Sequence, residues 1–228
     1  REHSVSTHGN EAPRTGAENP MFPYAPSRAQ PAGASRRGAI FLDKDGTLVE
    51  DVPYNVDPAQ MRFAPGAREG LQALARCGLP LIVVSNQSGI ALGRFDEAAL
   101  DAVHLRLAEM FEEACADLAD FYYCPHHPDG VVRKYAVACD CRKPASGLFE
   151  QAARERRIAL DQSWMIGDIL HDIEAGRRVG CRTVLIDNGN ETEWQLTPER
   201  TPHFRCPDFA AAARWVCEQM DVSQGSGA

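Results

Sequence analysis

The sequence has no excess of positive charge, which argues against a protein that wraps nucleic acid. Its 24 lysines and arginines are outnumbered by 32 aspartates and glutamates, so the net charge at pH 7 is −8. Domains that bind nucleic acid usually carry a basic surface. Overall acidity does not exclude a small phosphorylated substrate, because a locally positive site or a bound metal can supply the charge that such a substrate needs.

Long apolar runs are also absent. No stretch is long enough to span a bilayer, and residues 1–14 lack the apolar segment of a secretory signal. We therefore predict no membrane partner and a cytoplasmic location. The eight cysteines do not predict a disulfide framework, because three of them lie in one short loop beside a histidine. They predict a metal site and buried thiols in a reducing compartment.

The chain divides into two tails and one domain. Residues 1–36 are rich in proline, alanine, arginine, serine and glycine and predict a disordered tail, and residues 222–228 predict a second flexible tail. Between them, residues 37–221 alternate apolar strands with helices, and one of these helices is predicted to begin at a capping Asp96 and to run to Leu118. Strands that are apolar throughout indicate a parallel sheet covered on both faces, so we predict a doubly wound, Rossmann-like α/β fold. Its ligands should bind at the carboxyl ends of the strands.

Two polar clusters follow the first two predicted strands. Asp43 and Asp45 leave a strand tip together, so one carboxylate can attack phosphorus while the other protonates the leaving oxygen. Gly46 permits the sharp turn that follows. Residues 85–89 (SNQSG) follow the run LPLIVV, and their hydroxyl and backbone N–H groups can hold phosphate oxygens. Taken singly, these clusters also fit an ordinary Asx turn and an ordinary polar turn.

Two further clusters complete a candidate phosphate site. Arg142 and Lys143 precede a predicted helix and can neutralise phosphoryl charge, although a surface basic pair fits equally well. Asp168 follows another strand and could bind a metal ion. The alternative interpretation is that it is one of the acidic residues that are common at a helix N-terminus. Mg²⁺ requires an octahedral set of oxygens, which Asp43, the backbone carbonyl of Asp45, Asp168, a phosphate oxygen and waters would provide. Asp172 is better placed to orient its neighbours.

A cysteine-rich loop predicts a second metal site. Cys124 and His126 form one ligand pair, and Cys139 and Cys141 form another, so that three thiolates and one imidazole can surround a tetrahedral Zn²⁺. His127 is the competing imidazole. A zinc ion with four protein ligands has no open position, so we predict a structural role for it. Because the loop runs straight into residues 142 and 143, zinc would also fix the two cations.

The order of the four clusters is more specific than any one of them. The patterns D-x-D-G-T, S-N, K-P and G-D-x-x-x-D, each behind its own strand, resemble the four motifs of the haloacid-dehalogenase (HAD) phosphatase superfamily. The resemblance implies that Asp43 forms an aspartyl-phosphate and that Asp45 is the general acid and base. It also implies that Ser85 and Lys143 bind the phosphoryl group and that Asp168 binds Mg²⁺.

The loop CPHHP, the later CDCRKP and the segment SNQSGI resemble a narrower family, the D-glycero-D-manno-heptose 1,7-bisphosphate phosphatases. This resemblance covers about residues 38–190 and implies a cap-less HAD domain with catalytic Mg²⁺ and structural Zn²⁺. It implies removal of the C7 phosphate of a heptose bisphosphate, a precursor of surface polysaccharide, to leave heptose 1-phosphate. The substrate contacts that it implies are Asp51, Tyr54, Asn86, Gln87, Ser88 and Arg142.

The chain departs from the family pattern at two positions near the substrate. Leu92 stands where members commonly have arginine, with Arg94 displaced, and Ile169 stands where they often have lysine. A histidinol-phosphate phosphatase, which shares the zinc loop but usually has a shorter one, is the second candidate. A nucleic-acid 3′-phosphatase, an inactive zinc-binding HAD module and an adaptor that uses the N-terminal tail are weaker alternatives. The missing cap insertion favours an open site and a monomer.

Overall fold

Six parallel strands form the centre of the molecule. The structure, a computed structural model, describes residues 36–225, so that residues 1–35 of the predicted N-terminal tail lie outside it. The strands pair in the order β3-β2-β1-β4-β5-β6. Their bounds are β1 (Ile40–Leu42), β2 (Leu81–Asn86), β3 (Leu118–Cys124), β4 (Trp164–Gly167), β5 (Arg182–Ile186) and β6 (Phe204–Cys206). The direction of winding reverses between β1 and β4, where a doubly wound sheet opens its ligand crevice.

Helices cover both faces of this sheet. They are α1 (Ala67–Arg76), α2 (Ala99–Glu113), α3 (Gly147–Arg156), α4 (Leu170–Arg178) and α5 (Phe209–Gly225), with short 3₁₀ turns at Pro58–Gln60, Leu160–Gln162 and Pro198–Arg200. One apolar cluster joins the sheet to α1, α2 and α5, and another joins its opposite face to α3 and α4. Within β1 the two faces alternate, since Ile40 and Leu42 belong to the first cluster and Phe41 to the second. The predicted doubly wound α/β fold is confirmed.

Two predicted element boundaries are corrected. The helix predicted from Asp96 to Leu118 begins at Ala99 and ends at Glu113. At its start, the backbone carbonyl of Asp96 accepts a bond from the Ala99 N–H, and the N-cap residue is Ala98, whose side chain makes no capping bond. It ends because Cys115 adopts a left-handed φ of 53°, which a continuing helix cannot accommodate. At the other end of the chain, α5 continues to Gly225, so it includes residues 222–225 of the predicted flexible tail, and residues 226–228 are outside the description.

The crevice is not covered by a second domain within residues 36–225. The connection from β1 to α1 contains a single 3₁₀ turn, and the connection from β3 to α3 is an irregular loop. The carboxyl ends of the central strands therefore remain open, as expected for a cap-less domain. Among the residues described, none of the helices has the length and apolar character needed to cross a membrane.

Candidate active site

The strand-end clusters meet in one cavity of about 210 Å³ at the carboxyl edge of the sheet. The cavity lies at the switch point between β1 and β4, as the topology requires. Its walls carry predicted residues from three strand ends and from the loop before α3, together with Ile169 and an unpredicted asparagine. The lining residues are Asp43, Asp45, Asp51, Ser85, Asn86, Lys143, Asp168, Ile169 and Asn190.

Lys143 is the buried cation of this cavity. Its ammonium group is within 2.5 Å of Asp43 Oδ1 and 2.7 Å of Asp172 Oδ1, and it donates to the carbonyl oxygen of Val84 at 2.9 Å. Only 2% of the Lys143 side chain is exposed. Asp172 is fully buried and also accepts a bond from the Ile169 N–H at 3.3 Å. Asp172 therefore orients the lysine, as the sequence predicted.

The charges of this group depend on one another. Burial raises the pKa of Asp43 well above its usual range, and the nearby Lys143 ammonium opposes that rise. Burial would lower the pKa of Lys143, but the carboxylates of Asp172 and Asp43 outweigh it and hold that pKa above its ordinary value. The lysine thus stays charged and favours the ionised, nucleophilic form of Asp43.

Asp168 is held by hydrogen bonds to both of its carboxylate oxygens. Thr47 donates to Oδ1 at 2.9 Å and Asn190 donates to Oδ2 at 2.7 Å. Burial and the neighbouring Asp172 raise the pKa of Asp168 to about 7, while the bonds from Asn190 and Thr47 oppose the rise. Gly46 has a φ of +80°, and a Cβ at this position would collide with Asp168 and Asn190. Glycine therefore permits both the turn and the close approach.

Asp45 faces the same cavity from a more open position. It pairs with Lys44 and accepts a bond from the side chain of Gln87 at 3.2 Å. The amide nitrogen of Gln87 also donates to the hydroxyl of Ser85 at 2.8 Å, and Ser85 is almost fully buried. Gln87 thus connects the candidate acid to the candidate phosphate-binding hydroxyl.

A second cavity, of about 280 Å³, adjoins the first and shares Asp45, Asp51 and Asn86 with it. Tyr54, Gln87 and Ser88 line it, so the structure brings five of the six predicted substrate contacts together. Arg142 lies in neither wall, and its Nη1 is buried with no hydrogen-bond partner among the residues described.

The mouth of the second cavity carries a strained residue and a cation. Tyr54 adopts a left-handed φ of 56°, which costs a non-glycine residue about 1–2 kcal/mol. Its ring is half exposed and lies 5.6 Å from the guanidinium carbon of Arg94, a cation–π contact. Arg94, the arginine that is displaced from the family position at Leu92, therefore lies beside Tyr54, a residue of the cavity wall.

Asn86 has a role that its predicted substrate contact did not include. Its side chain accepts a bond from the Lys143 N–H at 2.9 Å and donates to the Lys143 carbonyl at 3.0 Å. The end of β2 thereby holds the backbone of the lysine, although Asn86 also lines both cavities. Its amide serves first to position Lys143.

The acidic cluster fits a divalent cation. Carboxylate oxygens of Asp43, Asp168 and Asp172 lie within 4.8 Å of one another. Their mutual repulsion contributes to the raised pKa values of Asp43 and Asp168, and a hard cation bound by oxygens relieves repulsion of this kind. Asp172 is fully buried and does not line the cavity, whereas Asp43 and Asp168 do, so these two are the carboxylates that can reach a cation in the cavity. The side chain of Asp45 is outside the cluster, so its predicted contribution is its backbone carbonyl.

The cysteine-rich loop also folds as the sequence predicted. One ligand atom from each of Cys124, His126, Cys139 and Cys141 lies within 4.8 Å of the other three. The sulfur of Cys141 is 3.1 Å from that of Cys124 and 3.3 Å from Nδ1 of His126. His127 is not part of the cluster, because its Nδ1 accepts a bond from the Asp129 N–H. His126 is therefore the imidazole of the set.

The donors of this loop fit zinc. Burial raises the pKa of Cys139, and contact with the Cys124 sulfur, followed by burial, raises that of Cys141. Thiols packed so closely ionise only when a cation shares the site. Three sulfurs and one imidazole nitrogen form a set that Zn²⁺ accepts as tetrahedral, with no position left for a substrate.

The sequence analysis assigned no role to three residues of the site, of which only Thr47 belongs to a quoted motif, as the last residue of D-x-D-G-T. Thr47 and Asn190 hold Asp168, and Asn188 donates to the carbonyl of Gly46 at 2.7 Å. Asn188 and Asn190 lie in the segment after β5, which ends at Ile186, so the strand-end rule that selected the other clusters would have found them.

Comparisons with known proteins agree with this geometry. A family model described as HAD-hydrolase-like matches residues 140–212. The D-glycero-beta-D-manno-heptose-1,7-bisphosphate 7-phosphatase of Pasteurella multocida (strain Pm70) is 42% identical over 156 residues, which cover 66% of this chain and 82% of that protein. The protein of the same name from Escherichia coli (strain K12) is 38% identical over 162 residues, which cover 71% of this chain and 83% of that protein.

Solved structures give the same result. A putative HAD-like phosphatase from Mesorhizobium loti superposes with a TM-score of 0.72 at 29% identity, over 85% of this chain and 91% of that one. The D,D-heptose 1,7-bisphosphate phosphatase from B. bronchiseptica, complexed with magnesium and phosphate, superposes with a TM-score of 0.66 at 28% identity, over 80% and 99% of the two chains. Sequence identity over most of the relatives' length and the shared fold together establish that the chain belongs to the HAD phosphatase family of the D-glycero-beta-D-manno-heptose-1,7-bisphosphate 7-phosphatases.

Proposed function

We propose that this protein is a magnesium-dependent phosphatase that removes the C7 phosphate of D-glycero-D-manno-heptose 1,7-bisphosphate and leaves heptose 1-phosphate. The observation that carries the proposal is the buried pair of Asp43 and Lys143 at the switch point of the sheet, 2.5 Å apart in the wall of an open cavity. A carboxylate beside a fixed cation suits attack on a phosphoryl group, since the cation neutralises charge on the phosphate oxygens. The named relatives support the choice of substrate.

The reaction proceeds in two steps on the residues of the first cavity. A carboxylate oxygen of Asp43 attacks phosphorus, the bond to the sugar oxygen breaks, and Asp45 gives its proton to that oxygen. Asp45 then takes a proton from water, whose oxygen attacks phosphorus and releases Asp43 and phosphate. Lys143 and the Ser85 hydroxyl hold phosphoryl oxygens throughout. Bound Mg²⁺, with Asp43, Asp168 and the Asp45 carbonyl as its protein ligands, would neutralise further charge.

The second cavity accommodates the sugar. It opens directly from the first, so a substrate whose C7 phosphate faces Asp43 extends past Asp51 toward Tyr54. The distal phosphate, on C1 of the sugar, needs a cation, and the described residues that line this cavity include no lysine or arginine. Arg94, stacked on Tyr54, supplies that charge at the mouth. This contact compensates for Leu92 at the position where the family commonly has arginine.

Zinc has a structural role in this proposal. The cysteine loop ends at Cys141, two residues before Lys143, so a filled zinc site fixes the approach of the chain to the phosphate-binding lysine. The thiol ligands fit a reducing compartment, and we therefore place the enzyme in the cytoplasm. Both cavities are formed by one chain, which is compatible with a monomer.

Phosphate release from a substrate panel tests the proposal. The panel contains both anomers of heptose 1,7-bisphosphate, histidinol phosphate and a 3′-phosphorylated oligonucleotide, each with Mg²⁺. We expect one heptose anomer to be preferred by orders of magnitude and Asp43→Asn to abolish turnover. Asp101→Asn, at an exposed position of α2, serves as the matched control and should retain activity. Equal, weak turnover of all four compounds would contradict the assigned substrate, and an active Asp43→Asn would contradict the nucleophile.

A further inference from the structure

Two thiols outside the zinc cluster face each other across a helix pair. The sulfur atoms of Cys77 and Cys217 are 2.8 Å apart, and 140 residues separate them along the chain. Both side chains are half-buried. Each also lies near the carbonyl oxygen of Ala73, at 3.7 Å for Cys77 and 3.6 Å for Cys217. The two sulfurs therefore converge on one point of the α1 backbone.

The packing of α5 on α1 creates this approach. A Cβ on Gly70 of α1 would collide with the ring of Phe209, and a Cβ on Gly66 would lie 2.8 Å from the backbone nitrogen of Ala210. These glycines let the start of α5 pack closely against the start of α1. Cys77 directly follows the last residue of α1, and Cys217 lies midway along α5. The thiols thus meet at the far end of a tight helix interface.

We propose that Cys77 and Cys217 form a reversible disulfide, which makes this pair a site of oxidative modification by low-molecular-weight disulfides such as oxidised glutathione. The sulfur separation is slightly larger than a disulfide bond of about 2.05 Å, so small side-chain rotations are enough to close it. The remaining described cysteines outside the zinc loop differ from these two half-buried thiols, because Cys115 is exposed and Cys181 and Cys206 are buried.

The disulfide forms by two successive thiol–disulfide exchange reactions with oxidised glutathione. One thiol loses its proton and attacks oxidised glutathione, forming a mixed disulfide and releasing one glutathione thiolate. The second thiol loses its proton and displaces the bound glutathione, forming the Cys77–Cys217 bond and releasing a second thiolate. Burial raises the pKa of Cys77 to about 12, so the reaction should be slow at neutral pH and faster in alkaline buffer.

The modification lies away from the phosphatase site. Cys77 precedes β2 and therefore belongs to the amino edge of the sheet, whereas Asp43 and Asp168 follow the carboxyl ends of their strands. Oxidation should hold the terminal helix on the domain and leave the cavities unchanged. The inference does not rest on the proposed function, and its test requires no substrate.

Peptide mapping of the zinc-loaded full chain tests the inference. The protein is incubated with oxidised glutathione at about pH 9, digested without reductant and analysed by mass spectrometry. Its melting temperature is measured before and after addition of dithiothreitol. We expect a cross-linked peptide pair containing Cys77 and Cys217, and a Tm that is higher by about 5–15 °C in the oxidised protein.

Serine variants test whether Cys77 and Cys217, rather than other thiols, form the cross-link. Cys77→Ser and Cys217→Ser should each remove both the cross-link and the rise in Tm, whereas Cys115→Ser should keep both. The map of the unaltered chain decides the question even if a serine variant folds poorly. Recovery of Cys77 and Cys217 as free or singly glutathionylated residues, after the exposed Cys115 has reacted, would overturn the inference.

Discussion

Replacing Lys143 by methionine tests the central electrostatic argument. Methionine fills a similar volume but removes the charge that Asp43 and Asp172 share. Both carboxylates are then left buried without a cation, and removal of one partner from a buried ion pair typically costs about 3–5 kcal/mol. For a domain of this size, we expect Tm to fall by about 6–20 °C. Phosphatase activity should disappear, because within residues 36–225 no other lysine or arginine lines the first cavity.

A second substitution separates stability from catalysis. Asp172 is fully buried, whereas Asp43 borders the open cavity, so Asp172→Asn should remove the more costly of the two unpaired charges. The double variant Lys143→Met/Asp172→Asn should therefore regain part of the lost Tm and remain inactive. Lys134→Met is the control, since 73% of its side chain is exposed and a surface pair contributes about 0–1 kcal/mol.

Thermal unfolding followed by circular dichroism, without added Mg²⁺, measures these differences. Phosphate release with Mg²⁺ is measured on the same preparations. A Lys143→Met protein that melts within about a degree of the unaltered protein, or a double variant no more stable than the single one, would refute a stabilising role for this ion pair. A Lys143→Met protein that still turns over substrate would separately refute the role of this lysine.

Four further predictions concern the asparagine, the zinc loop, a histidine and the substrate mouth. Asn190→Ala removes a bond to a buried carboxylate and should lower kcat/KM by about 10–100-fold; unchanged kinetics would contradict its role. Cys141→Ser should lower both zinc content and Tm, while His127→Ala should keep its zinc, and metal analysis distinguishes the two. Burial and Arg177 lower the pKa of His203, so as the pH falls His203 takes up its proton in the unfolded chain before it does so in the folded protein. The stability that neutral His203 contributes is therefore present above about pH 6.5 and is lost as the pH falls further. An NMR titration that gave His203 a pKa at or above the ordinary value would refute this. Arg94→Ala should raise KM for a bisphosphate and leave KM for a monophosphate unchanged; equal effects on both would argue against a contact with the distal phosphate.

Local patterns were sufficient to predict the fold and most of the site. Buried strands of a parallel sheet are apolar on both faces, so the strand positions follow from composition alone. Once the strands are placed, the carboxyl-edge rule brings Asp43, Ser85 and Asp168 together. The cluster of three cysteines and one histidine was equally predictable, because its short spacings are typical of a tetrahedral metal site.

Other features depend on contacts between distant segments. The position of Asn190 after β5 is visible in the sequence, but its bond to Asp168 forms only because β5 lies beside β4. The end of α2 depends on the single left-handed residue Cys115, which nothing in the helical pattern marks. The bond between Asn86 and the backbone of Lys143 joins positions 57 residues apart. Such pairs require the tertiary structure.

The double hydrogen bond from Asn86 to the backbone of Lys143 has a consequence for how this enzyme can vary. Lys143 is held by β2 through these bonds, and Cys141 of the cysteine–histidine cluster lies two residues before it, so both restraints lie outside residues 128–138. That segment can therefore change in length or sequence without moving the reacting groups. New substrate contacts could be grafted onto it, either by natural drift or by design, while the chemistry beneath it stays constant.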